Sequence, residues 1–168
     1  PLADAPVAEA LRRQFAGLGV APERLILEGA VENYAAHLAR YNDVDIALDP
    51  FPYAGGTTSV EALWMGVPVV CRRGDRFLSN ICTSMLHSAG LAEWIAQDNE
   101  DYVAKAVAFA ADVPKLAALR GNLRASLLAS PLCDARRYAR HLEAALEAMW
   151  REGVARLSSG ASGTTAAI

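Results

Sequence analysis

The chain has 168 residues, 53% of them hydrophobic, and a formal net charge of −3 at pH 7. That length suits one domain with a real core, and the scattered basic residues leave no cationic face of the kind that binds nucleic acid. No apolar run approaches the roughly 20 residues needed to cross a membrane, and the start, Pro1-Leu-Ala-Asp-Ala-Pro-Val-Ala-Glu9, lacks the charged and apolar regions of a signal peptide.

In chain order, Val7, Leu11, Phe15 and Leu18 recur at helical spacing and predict a helix over 7–17, ended by Gly17 and Gly19. Pro22-Glu-Arg is a turn, and 25–31 reads as a strand. Asn33 is a good N-cap for a short helix over 34–41, with Tyr34, Leu38 and Tyr41 on one side. Residues 44–48 are almost wholly apolar, as a strand in a sheet covered on both faces requires. A helix over 57–65 follows, Gly66 stops it, and 67–71 is the next strand. Arg72-Arg-Gly-Asp-Arg76 is a charged loop. Stretches 80–88 and 92–96 read as helical. Beyond Glu100 three helices, 102–111, 113–129 and 134–155, are separated by Asp112 and by Ser130-Pro131. The end, 156–168, has no periodicity and is expected to be a disordered tail to a domain spanning 1–155. Strand, helix, strand, helix, strand, then helices describe an α/β fold with a parallel sheet and a helical C-terminal segment. With three strands in view and an abrupt start, the domain reads as part of a nucleotide-binding unit whose first strand–helix units are missing.

The richest chemistry lies in Asp49-Pro-Phe-Pro-Tyr-Ala-Gly-Gly-Thr-Thr-Ser59, between a strand and a helix. The first N–H groups of a helix lack intrahelical partners and its dipole favours an anion, so Gly55, Gly56, Thr57 and Thr58 are either a phosphate cradle or a tight turn with a threonine cap. Glu61, about one turn further on, either meets a sugar hydroxyl or stabilises the first turn of its own helix. His37 and Arg40 share a helix face; they either meet a base or are structural. Tyr34 is an aromatic wall or core. Arg72, Arg73 and Arg76 form a solvated loop or an arm near a diphosphate. His87 and His141 read as structural, and Trp64 and Trp94 as core. Cys71, Cys82 and Cys133 are too few and too dispersed for a disulfide framework or zinc site; they read as buried or partly buried thiols in a reducing, cytoplasmic compartment.

The run from Asp45 to Val70 resembles the signature of O-linked N-acetylglucosamine transferases and their Spindly-type relatives, the tetratricopeptide-linked glycosyltransferases. The likeness continues through Gly74-Asp-Arg-Phe, Gly90-Leu, Asp101-Tyr-Val and Ser130-Pro-Leu132 to Met149-Trp150. It implies the Rossmann-like C-terminal half of a GT-B fold, the half that carries most of the donor nucleotide. It also implies that Thr57 and Thr58 bind the diphosphate and Glu61 the ribose, that His37 packs on the base with Arg40 as the basic residue one turn later, and that the backbone around Val31 and Glu32 reads the base edge. Gly56 stands where some members have His, Tyr34 where some have Lys, and Asn80 where some have Arg. Catalytic residues are expected upstream of this chain, so the isolated chain is expected to be inactive within a longer, metal-independent enzyme. Expected partners are a nucleotide-sugar donor, a protein acceptor held by upstream regions and a second copy of the chain, with no nucleic acid or membrane. The implied donor is UDP-N-acetylglucosamine; alternatives are GDP-fucose in a Spindly-type enzyme, or a non-catalytic nucleotide-binding scaffold.

Overall fold

The computed structural model describes residue 2 and residues 4–158. The chain divides into two compact units, 1–43 and 44–168.

In the first unit, α1 (Ala5–Gly17) has a proline in its first turn, where the missing N–H is not needed. A 3-10 turn, Pro22–Arg24, follows. Residues 25–31 alternate between half-buried and exposed, with Ile26 turned to solvent, yet they form no strand. The alternation is right for a strand, but a strand also needs a neighbour to accept its ladder hydrogen bonds, and the described sheet gives this segment none. Asn33 caps α2 (Tyr34–Ala39) by accepting the Ala36 N–H at 2.9 Å. The helix tightens at Arg40 into a 3-10 turn, Arg40–Asp43, short of the expected α-helical end at 41.

The second unit is built on a parallel sheet in the order β1 (Ala47–Leu48), β2 (Val69–Arg72), β3 (Ile95–Ala96). Ala47 pairs with Val69 and Leu48 with Val70; Cys71 pairs with Ile95 and Arg72 with Ala96. β2 is central, and Val69, Val70 and Cys71 are buried on both faces. β1 is an edge strand; Leu48 is exposed, contrary to the expectation of full cover. β3 lies in a stretch read as helical. Only Ala92–Trp94 makes a 3-10 turn, and β-branched Ile95 then joins the sheet. The third strand is therefore 95–96 rather than 25–31.

The crossover from β1 to β2 runs through α3 (Thr57–Trp64). Gly66 ends α3 at φ +79°: its N–H donates to Leu63 O at 3.1 Å and the Val67 N–H to Ala62 O at 2.8 Å. A Cβ there would also lie 3.1 Å from Arg120 O. Between β2 and β3 runs α4 (Ile81–Ser88). Then come α5 (Asn99–Ala111), α6 (Val113–Ala129) and α7 (Ala135–Ser158). Asp112 caps α6 by accepting the Lys115 N–H at 3.1 Å. The core joins Leu63, Val67, Val70, Leu86, Trp94, Leu123 and Leu127. Trp94 stacks on Phe109 at 3.8 Å. Trp64, expected in the core, is exposed, with the Arg124 guanidinium 5.2 Å over its ring. Cys71 and Cys82 are buried thiols, whereas Cys133 is exposed. α7 runs through Ser158, so 156–158 are helical where a tail was expected; 159–168 lie outside the described residues.

Candidate functional site

β1 delivers the chain to Asp49 at the carboxyl edge of the sheet. The residue is only 5% exposed. Oδ1 accepts the Gly55 N–H at 2.8 Å and the Ser59 hydroxyl at 3.1 Å, which draws residues 50–54 into a closed loop. A Cβ at Gly55 would lie 2.3 Å from Ser59 Oγ and 2.5 Å from Asp49 Oδ1, so only glycine fits. Burial pushes the Asp49 carboxyl above its usual range, and the Gly55 N–H, the Ser59 hydroxyl and the Cys82 thiol pull it back.

Gly56 is the N-cap of α3 and supplies no side-chain cap. Thr57 and Thr58 are thus the first two helical residues, and the threonine-cap reading is wrong. Both are exposed at the helix start. A side chain at Gly56 would meet nothing within 4 Å, which fits its replacement by a larger residue elsewhere. Glu61 is half-buried on the same helix but beyond its first turn, so it does not act as a first-turn carboxylate.

Beside this start stands a cluster of which sequence reasoning marked only Arg72. Tyr102 of α5 donates its hydroxyl to Asp49 O at 3.0 Å and meets Phe51 edge-on at 5.4 Å. Burial, followed by the Asp49 charge, pushes the Tyr102 phenol up to about 12. Arg72 is the last residue of β2, not part of a solvated loop. Its guanidinium lies 4.2 Å over Phe51 and donates to Asn99 Oδ1 at 2.8 Å. Arg73 and Arg76 are exposed, and the loop that carries them is closed by Asn80, whose amide donates to Gly74 O and Arg76 O at 2.8 and 2.9 Å. Below Asp49, a hydrogen bond to Cys71 and burial push the Cys82 thiol well up, keeping it protonated. Nothing in the local sequence signals these partners, because Tyr102 lies 53 residues from Asp49.

The other sequence-predicted residues lie in the first unit. Val31 is half-buried and Glu32 exposed. His37 is half-buried between Tyr34, stacked at 6.1 Å, and Tyr41, edge-on at 5.8 Å. Tyr34 itself is largely exposed, so it is not core. Arg40 donates to Gly29 O at 2.7 Å and pairs with Glu28 at 3.3 Å, so its charge is spent on its own unit. The structure therefore brings together Gly55, Gly56, Thr57, Thr58 and Glu61 in one unit, and Tyr34, His37 and Arg40 in the other.

Residues 5–142 match the model of glycosyl transferase family 41. The chain belongs to that family. The Thermobaculum terrenum O-GlcNAc transferase, solved as its K341M mutant, is similar at 41% identity with a TM-score of 0.82, over 90% of this chain and 29% of that one. The tomato (Solanum lycopersicum) protein named probable UDP-N-acetylglucosamine–peptide N-acetylglucosaminyltransferase SPINDLY is 40% identical over 80% of this chain. The Caenorhabditis elegans UDP-N-acetylglucosamine–peptide N-acetylglucosaminyltransferase is 29% identical over 85% of it. This family 41 domain spans only 14% of the tomato protein's length and 12% of the nematode one's. Its α/β, Rossmann-like character agrees with the solved relative. Among the described residues no helix is long and apolar enough to cross a membrane.

Proposed function

We propose that this chain is the donor-nucleotide-binding part of a protein O-glycosyltransferase that moves N-acetylglucosamine from UDP-N-acetylglucosamine to serine and threonine hydroxyls. The observation that carries this reading is the start of α3, where a glycine N-cap leaves Thr57 and Thr58 exposed beside helix-start N–H groups. The relatives' printed names supply the sugar and the peptide acceptor. As the bond from sugar to diphosphate breaks, charge grows on the leaving phosphate, and donors already fixed around it lower the barrier. In this reading Glu61, on the same helix, holds the ribose. Arg40 steadies the segment before α2 through Gly29. The donor binds without a metal ion, so chelation leaves its affinity unchanged. The site works in the cytoplasm, where the three free cysteines stay reduced. Transfer also needs an acceptor and a general base aligned with the donor, and the 168-residue chain alone should give no labelled peptide above the no-protein control.

Calorimetry or ligand-observed NMR tests the site. UDP should bind at high micromolar to millimolar concentration, roughly −4 to −5 kcal/mol. Replacing Thr57 and Thr58 together by Ala should weaken UDP more than uridine, by at most about 1.5–3 kcal/mol per hydroxyl. No binding of UDP at millimolar concentration sinks the reading, and tighter binding of GDP than UDP moves the donor to GDP-fucose.

A further inference from the structure

Asp49 poses an electrostatic puzzle. A carboxylate beneath an anion site repels the anion, and a buried carboxylate costs free energy unless its hydrogen bonds return it. Asp49 is nevertheless almost wholly buried directly before the turn that starts α3. Its value must therefore be geometric, and the geometry is specific. The two donors on Oδ1 flank the helix start: Gly55 lies one residue before the N-cap and Ser59 in the first turn. One oxygen thus ties both sides of the turn. The tie leaves no slack, because a single methyl group at Gly55 would collide with both Ser59 Oγ and Asp49 Oδ1. The main chain that carries this carboxylate is held from behind: Tyr102 donates to the Asp49 backbone carbonyl, and Phe51 is pinned between Tyr102 and the Arg72 guanidinium.

We propose that Asp49 is a positioning residue for donor binding: through Oδ1 it sets the Gly55–Thr58 turn so that the helix-start N–H groups and the two threonine hydroxyls converge on a diphosphate. The proposal deepens the nucleotide-binding reading above and rests on it. Tyr102 and Arg72 act one step further back, through the loop that carries Asp49.

The test uses the full 168-residue chain and two probes, UDP and uridine. The quantity read is the ratio of their dissociation constants, which a loss of general stability leaves alone. Asp49→Ala should lower the preference for UDP over uridine by about tenfold or more, with uridine changed by less than about twofold. Asp49→Asn keeps an Oδ1 acceptor and drops the charge, so it should hold the ratio within about threefold of the parent. A folded Asp49→Ala chain with the parent's ratio overturns the proposal, as does an equal loss of UDP and uridine. Where Asp49→Ala does not fold, Ser59→Ala decides, since it removes one of the two ties: a fall of about threefold sustains the proposal and an unchanged ratio overturns it. Failure of the parent chain to bind UDP is a different result, seen before any variant is made, and it removes the nucleotide reading together with this one.

Discussion

α3 and α7 are helices of opposite kinds. α3 has eight residues, begins Thr-Thr-Ser-Val, and buries Ser59, Ala62 and Leu63. α7 has 24 residues and buries none. β-branched and hydroxyl residues are poor helix formers, and a helix of two turns is not stable alone. α3 is therefore helical because the sheet and α6 hold it there, and its start is where the surrounding structure sets it. α7 is rich in Ala, Leu, Arg and Glu, and carries i,i+4 pairs such as Glu147–Arg151 at 2.6 Å. Its helicity is local. A site that must be placed to a fraction of an ångström belongs on the first kind of helix.

The comparison breaks most sharply by truncation. Leu63→Ala should cost about 2–5 kcal/mol in urea unfolding, because a fully buried side chain leaves a cavity. Leu146→Ala on exposed α7 should change stability by less than about 0.5 kcal/mol. Similar losses at the two positions would mean that α7 is as well packed as α3. Gly66→Ala, at the end of α3, should cost about 1–2 kcal/mol, since its φ of +79° disfavours any side chain. An unchanged unfolding midpoint would show that the turn relaxes freely.

A finer test uses pH. Burial raises the carboxyl of Asp49 in the folded chain above 3.8. The folded state therefore holds this proton more tightly than the unfolded one, and stability from this group is present below the unfolded value and lost as pH rises through the folded one. Relative to Asp49→Asn, the parent should lose stability as pH climbs from about 4 towards neutrality. A difference that is flat, or of opposite slope, would show that the hydrogen bonds from Gly55 and Ser59 outweigh burial.

The smallest effect concerns α7 itself. A peptide of residues 135–158 should show partial helicity by circular dichroism, while one of 57–65 should be coil. Tyr138, Leu142, Leu146, Trp150 and Val154 recur every four residues and are exposed, and exposed apolar stripes drive association. The chain should accordingly self-associate, and light scattering should show mass rising with concentration. A clean monomer at high concentration would leave α7 as a solvated arm.

Three helix ends are legible in the sequence. Asn33, Gly66 and Asp112 act on groups within a few residues of themselves, so local chemistry determines where α2 and α6 begin and α3 stops. The Gly55–Thr58 turn was legible for the same reason, as was family membership. Strand identity was not. Residues 25–31 have the better strand pattern, yet 95–96 are in the sheet, because a strand exists only where a neighbour accepts its hydrogen bonds. Nor could the sequence show that Asp49 ties the turn, or that Tyr102 and Arg72 brace it. Those partners are brought together by the crossing of β1, β2 and α5, and long-range contact leaves no trace in local spacing.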